Sequence, residues 1–218
     1  MAARNELVPV PPKRFLRYIG ILGFSVPIVL IIGTVYKGCE EVLHTISSYY
    51  HSVMGDFFVG ALCAIALCMY AYKGYDNTDN VLSNLAGLCL LGVAWFPTSI
   101  CNENLACIDY CDVDSIIGRM HYISATIFFL ILAFFCIFQF VKGDEPFSKQ
   151  KRKRNTVYYT CGALILISIL SIAVRAFTNI NFPLFDYSCY VFWAETVALW
   201  SFSTAWLIKG EVMLRDQE

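Results

Sequence analysis

Six apolar runs follow one another along this chain, and they constrain its fold more than any other feature. A helix needs about 20 mostly apolar residues to cross the hydrocarbon core of a bilayer. The runs cover residues 18–36, 55–72, 82–100, 120–141, 157–174 and 191–208. We therefore predict an all-α integral membrane protein in which residues 1–218 form a single six-helix bundle.

The composition supports a protein that is solvated by lipid. The chain is 58% hydrophobic and only 15% charged, which is more apolar surface than one soluble domain can bury. The formal net charge of -1 gives no reason to expect a nucleic-acid partner. Membrane lipids are the partners that we predict, and the sequence gives no indication of an oligomeric state.

The positions of the basic residues predict the orientation. The N-terminal tail, the second and fourth loops and the C-terminal tail hold 13 of the 16 Lys and Arg residues, while Lys37, Arg119 and Arg175 fall on the other side. Cytoplasmic segments of membrane proteins carry the excess of Lys and Arg. Both termini are therefore predicted to be cytoplasmic, and the even-numbered helices begin on the outer side.

Five of the ten cysteines fall in the predicted outer segments. They are Cys39, Cys101, Cys107, Cys111 and Cys189. An oxidising compartment outside the membrane permits disulfides at these positions. Cys107 and Cys111 do not match common zinc-finger spacing and have no His nearby, so a disulfide role is favoured over a metal role there. Five cysteines make at most two bridges, and the pairing is left open.

Four ionisable residues lie near the ends of the runs, all at the outer membrane level: Asp56, His121, Arg175 and Glu195. An ionisable side chain within a span is costly and usually has a partner or a function. Three helix N-termini point to the same level, and their partial positive charge favours anions. In one interpretation the four groups pair with one another and orient the helices.

In the other interpretation they line a polar pocket at the outer leaflet. Ser47, Tyr50 and His51 of the first outer loop would complete it. Arg175 and the helix N-termini would hold an anionic head group, His121 would hydrogen-bond it or accept a proton, and Asp56 and Glu195 would orient the cations. This interpretation predicts a protein that binds or handles a lipid or a small anionic ligand, without a cofactor.

The same residues allow a metal-dependent alternative. If residues 47–51 are helical, Ser47 and His51 lie one turn apart, and His51, Asp56, His121 and Glu195 could form a zinc site for hydrolysis. No HxxxH or HExxH pair occurs in the chain. A structural or assembly role without any small ligand is a further alternative.

Several segments carry a family resemblance. TISSYYHSVMGDFFVGALCAIAL, NLAGLCLLGVAWFPT, HYISATIFFLILAFFCIFQF and FWAETVALWSFSTAWLIKG together resemble a group of uncharacterised bacterial six-span membrane proteins. The stretch around His121, Ala125 and the Phe128-Phe129 pair is also similar to the DRAM/Frag/Sfk family. Its members have six spans and take part in lipid or glycolipid handling. The resemblance implies a bacterial inner (cytoplasmic) membrane and a lipid-related function.

The pair formed by Ser47 and His51 also resembles the Ser-x3-His element of the alkaline ceramidase-like superfamily. That superfamily has seven spans and a His-x3-His pair in its last helix, which this sequence lacks. The resemblance implies a zinc-dependent lipid hydrolase as the alternative to lipid binding.

Overall fold

The computed structural model describes residues 13–39, 41–74, 76–99, 108, 113–143, 146, 148–178 and 189–214. Those residues form six α-helices and no strand. The helices are α1 (Lys13–Tyr36), α2 (Gly55–Ala71), α3 (Asn77–Trp95), α4 (Ser115–Phe134), α5 (Lys149–Thr178) and α6 (Tyr190–Lys209). A 3-10 helix, Ser47–His51, precedes α2, and a π-helical turn, Phe135–Gln139, extends α4.

The all-α prediction is therefore confirmed for the described part of the chain. Four helices, namely α1, α4 with its π turn, α5 and α6, are long and apolar enough to cross a membrane. Helix α2 is apolar but shorter, and α3 begins with the polar residues 77–80. The four long helices identify a membrane protein.

Several helix boundaries differ from the predicted runs, and α1, α3 and α4 each begin five residues earlier than predicted. Helix α3 ends at Trp95 instead of continuing to residue 100, because Phe96 precedes Pro97 and adopts an extended backbone. Helix α5 begins at Lys149 instead of residue 157, so the basic residues form its first turns. The apolar runs located the apolar part of each helix but not its polar ends.

The six helices form a closed ring. Each helix packs against the next along the chain, and α6 packs against α1. Helix α1 approaches α6 closely at Gly20 and Gly23, where an added methyl group would meet Leu207 and Ser203. Small residues allow two helix backbones to approach in this way.

The two ends of the ring differ in their chemistry. At the end that we call the basic end, Arg17 Nε donates to the Gly210 carbonyl at 2.8 Å, and Arg154 donates to the Leu214 carbonyl at 3.1 Å. At the other end, called the 3-10 end, the segment after α1 folds over the ring. There the Phe192 N–H donates to the His44 carbonyl at 2.9 Å.

Aromatic side chains fill the ring near the basic end. We call this group the aromatic layer, and its members are Tyr72, Phe135, Phe140, Tyr158 and Trp206. All five are almost fully buried, and the Trp206 ring lies 5.1 Å from Tyr72 and 5.4 Å from Phe140 between centroids. The interior is therefore closed by packed rings at this level.

Candidate functional site

Glu195 connects α6 to the segment that precedes α2. It lies in the second turn of α6, and its carboxyl oxygen accepts the Ile46 N–H at 2.6 Å. The backbone N–H of Ser47 also donates to this carboxyl group. These groups are at the N-terminus of the 3-10 helix, where N–H groups have no partner within the helix. Glu195 thus caps the 3-10 helix from a different part of the chain.

The capped segment is firmly packed against α6. Tyr49 is fully buried, and its ring lies 5.9 Å from Phe192. Burial raises the pKa of the Tyr49 phenol, so its hydroxyl stays neutral at physiological pH. The Cys189 thiol donates to the Val42 carbonyl at 3.3 Å. Residues 42–49 are therefore held beside the start of α6, where they position Ser47.

An apolar cavity lies inside the ring next to Glu195. The cavity has a volume of about 50 Å³, whereas about 10–15 Å³ is enough for one water molecule. The lining comes from the segment before α2 and from five of the helices. It consists of Val26, Ile46, Ser47, Phe58, Leu62, Ile65, Leu90, Val93, Ala125, Phe128, Phe129, Glu195, Leu199 and Phe202. Among these residues only Ser47 and Glu195 have polar side chains.

The polar groups lie at one end of this cavity. On α6 the wall runs from Glu195 through Leu199 to Phe202, which is about 10 Å along a helix. Glu195 belongs to the 3-10 end, and Phe202 contacts the aromatic layer through Trp206 at 5.7 Å. The arrangement suits an elongated apolar group with a hydrogen-bonding group at one end.

Two buried histidines hold the backbone after α3. His51 Nε2 lies 2.7 Å from the Thr98 carbonyl, and His121 Nδ1 lies 2.7 Å from the Phe96 carbonyl. A carbonyl only accepts, so each ring nitrogen is the donor. The Tyr122 hydroxyl adds a 3.2 Å contact with Thr98 Oγ1. Both histidines are at most 1% exposed, so they position backbone and do not line the cavity.

The seven residues predicted to form the pocket thus divide among several surroundings. Glu195 and Ser47 meet at the cavity, while His51 and His121 meet at residues 96–98. The remaining three are Tyr50, Asp56 and Arg175. Tyr50 lies between the two groups, with its ring 5.3 Å from His51 and 6.5 Å from Phe58. Asp56 is exposed in the first turn of α2, and Arg175 packs over the Tyr190 ring.

The residues named for zinc do not meet at one point. Within the described ranges, no group of three or more His, Cys, Asp or Glu side chains is placed to hold a metal ion. His51 and His121 already donate to carbonyl groups, Asp56 is exposed, and Glu195 lies at the cavity.

Of the predicted outer cysteines, Cys39 is disulfide-bonded. Cys189 carries a thiol. Cys101, Cys107 and Cys111 lie outside the described residues.

Sequence reasoning missed the apolar wall of the cavity and a polar cluster at the basic end. Phe58, Phe128 and Phe202 are typical apolar span residues, and nothing in their spacing distinguishes a cavity wall from a packed core. Asp79 lies just outside the predicted third run, yet it is fully buried in α3 and attracts Lys209 of α6. The sequence could have indicated this pair, because Asp79 and Lys209 both lie near helix ends at the same predicted membrane level.

Comparison with protein-family models, with curated proteins and with solved structures gives no match for this chain.

Proposed function

We propose that this chain is a six-span protein of a bacterial inner (cytoplasmic) membrane and that it binds a lipid within its helix ring. The observation that carries the proposal is the apolar cavity, whose polar lining side chains are Ser47 and Glu195. Ligand sites are commonly apolar hollows in which a few polar groups fix the orientation of the ligand. A membrane lipid has the matching division into a hydrocarbon part and a polar part.

Exposed apolar side chains support six spans in place of four. Leu67 and Tyr70 on α2 and Leu88 on α3 are about two-thirds exposed, although both helices belong to the ring. A soluble protein rarely presents contiguous apolar patches of this kind to water. In the proposed topology these side chains contact lipid.

Charge and redox chemistry support the proposed orientation. The basic end contains most of the Lys and Arg residues, which favours its placement in the cytoplasm. The disulfide-bonded Cys39 lies beyond α1 at the 3-10 end, and a disulfide fits an oxidising compartment. The cavity and Glu195 then belong to the outer half of the membrane.

The lining also favours a class of polar group. The Glu195 carboxyl group and the Ser47 hydroxyl accept hydrogen bonds, so a hydroxyl, amide or amine of the lipid would bind beside them. An anionic head group would be held farther out, where the guanidinium of Arg175 lies at the same end of the ring. In this proposal Ser47, Glu195 and Arg175 contact the ligand, and His51 and His121 support the wall.

The test fills the cavity and measures bound lipid. Ala125 lies on the cavity wall, so Ala125→Trp should displace the ligand, whereas Ile127→Trp on the exposed side of the same helix should not. Each protein is purified from nanodiscs of phosphatidylethanolamine and phosphatidylglycerol, and its lipid is counted by native mass spectrometry. We expect about one retained lipid in the wild type and in Ile127→Trp, and loss of it in Ala125→Trp. Equal retention by both variants at unchanged melting temperature would contradict the proposal.

A further inference from the structure

We infer that the cavity opens sideways into the membrane between α4 and α5, and that the hydrocarbon chain of a membrane lipid enters through this gap. We call the gap the α4–α5 portal. Its edges are Ala125 and Phe129 on α4 and residues 169–178 on α5. The inference rests on the proposed lipid binding and adds the route by which the ligand reaches Glu195.

The composition of the cavity wall is the first observation. Helices α1, α2, α3, α4 and α6 all supply lining residues, but no residue of α5 does so. Helix α5 nevertheless occupies the place between α4 and α6 in the ring. Among the described residues, none on the α5 side therefore lines the cavity.

The burial of the lining residues also indicates that the cavity is open on the side that faces α5. On the wall formed by the first three helices, Val26, Phe58 and Leu90 are at most 3% exposed. On α4, Ala125 and Phe129 keep part of their accessible surface. Glu195 on α6 also keeps part of its accessible surface, although its carboxyl group lies inside the ring. Accessible surface thus remains on the two helices that flank α5.

The packing of α5 explains the gap. All buried residues of α5 lie between Asn155 and Ser168, and none of residues 169–178 is buried. Near the basic end, α5 approaches the π turn closely at Gly162, where an added methyl group would meet Ile137, and Tyr158 contacts Phe140 at 5.4 Å. At the other end of α5, Arg175 lies 5.4 Å from the Tyr190 ring of α6. Helix α5 therefore stays with α6 and packs on the π turn only toward the basic end.

The surroundings of the gap select its occupant. Leu130 on α4, and Ile167 and Leu170 on α5, are exposed apolar side chains. In the proposed topology these residues lie within the hydrocarbon region, so a ligand that arrives there is already dissolved in lipid. The aromatic layer closes the interior toward the basic end. A lipid chain from the leaflet at the 3-10 end is thus the molecule that this opening admits.

The experiment compares two substitutions of the same residue type on α4. Phe129→Ala removes a ring at the portal edge, whereas Phe134→Ala removes one that is 37% exposed and does not line the cavity. Protein loaded with chain-deuterated phosphatidylglycerol is mixed with an excess of unlabelled lipid, and exchange is followed by native mass spectrometry. We expect lipid exchange in Phe129→Ala to be roughly threefold faster or more, and exchange in Phe134→Ala to be unchanged. A wider portal changes the rate of lipid exchange more than it changes the contacts of the bound lipid.

A second measurement uses the unaltered protein. Phosphatidylglycerol with a diazirine at the end of one acyl chain is photoactivated in the membrane, and the adducts are located by mass spectrometry. We expect adducts on Ala125, Phe129 and residues 169–178. Bound lipid with equal exchange in the two variants, or adducts confined to the outward faces of α2 and α3, would overturn the portal and leave the proposed function standing. A wild-type protein that retains no lipid would overturn the proposed function itself.

Discussion

The two halves of the helix ring are packed differently. Toward the basic end, the five members of the aromatic layer leave little exposed surface, and α5 packs on the π turn. Toward the 3-10 end, the ring encloses a cavity beside a carboxyl group, and the last turns of α5 are not buried. One half is packed like a protein core, and the other encloses a cavity.

Under the proposed function, this difference lets a small helical ring combine stability with binding. Close packing of large side chains gives interior density and fixes the helices relative to one another. A cavity forgoes the dispersion contacts that its lining atoms would otherwise make. The aromatic layer packs one half closely and the cavity lies in the other, so substitutions in the two halves should separate stability from ligand binding.

The largest expected effect is in the aromatic layer. Trp206→Ala removes a fully buried ring that contacts Tyr72, Phe135 and Phe140, and we expect it to lower the free energy of unfolding by about 3–5 kcal/mol. Denaturant unfolding in detergent measures the change. The matched control is Trp95→Ala, because Trp95 is 80% exposed, and it should change stability by less than about 0.5 kcal/mol. Comparable losses in the two variants would remove the distinction between the halves.

A smaller effect is expected at Glu195. Glu195→Ala removes the acceptor for the Ile46 and Ser47 N–H groups, and an unsatisfied buried donor costs about 1–3 kcal/mol. Glu195→Gln keeps a carbonyl oxygen at this position and should retain most of the stability. Amide hydrogen exchange should show faster exchange of the Ile46 N–H in Glu195→Ala alone. Unchanged exchange of that amide would show that the carboxyl group does not hold the 3-10 helix.

The smallest effect is expected at Asp76, on the surface of the basic end. Lys142, whose Nζ lies 2.8 Å from the Asp76 carboxylate, and the Asp79 N–H hold the pKa of Asp76 below its usual range. A lowered pKa in the folded state stabilises the protein above the unfolded pKa of about 3.9, and this contribution is lost as the pH falls through the folded value.

Asp76→Asn should therefore lower the melting temperature slightly at pH 7, and its difference from the wild type should shrink below about pH 4. Asp114 caps α4 at the 3-10 end and accepts the Ile116 N–H at 2.7 Å, so Asp114→Asn is the matched control. Thermal melts from pH 7 to acid compare the two. A constant difference between wild type and Asp76→Asn at all pH values would argue against the ion pair.

The helices were largely predictable because the length and polarity of a run indicate a membrane-compatible helix without knowledge of its neighbours. The ends of the helices were less predictable. Pro97 stops α3 through a local steric effect, whereas the helical basic turns at Lys149 depend on contacts such as that between Lys151 and the Phe140 carbonyl, at 3.0 Å. A one-dimensional hydropathy pattern contains the first kind of information and not the second.

The site was predictable only in part, because membrane depth does not determine direction. Glu195 and Ser47 share both a depth and a cavity, but His121 turns toward the Phe96 carbonyl and Asp56 faces outward. Rotation about each helix axis decides these directions, and it depends on packing between helices that are far apart in sequence. The apolar side of the cavity left no pattern at all, since its residues are ordinary for a span.

The contact between the first and last helices has a consequence for biosynthesis. Gly20 and Gly23 of α1 receive Ser203 and Leu207 of α6, so the ring closes only with the final helix of the described chain. Because the N-terminal part of a protein is made first, α1 is synthesised well before α6, its partner in this contact. The packing of α6 against α1 also brings Glu195 to the 3-10 helix, so the wall of the cavity is complete only after α6 has packed.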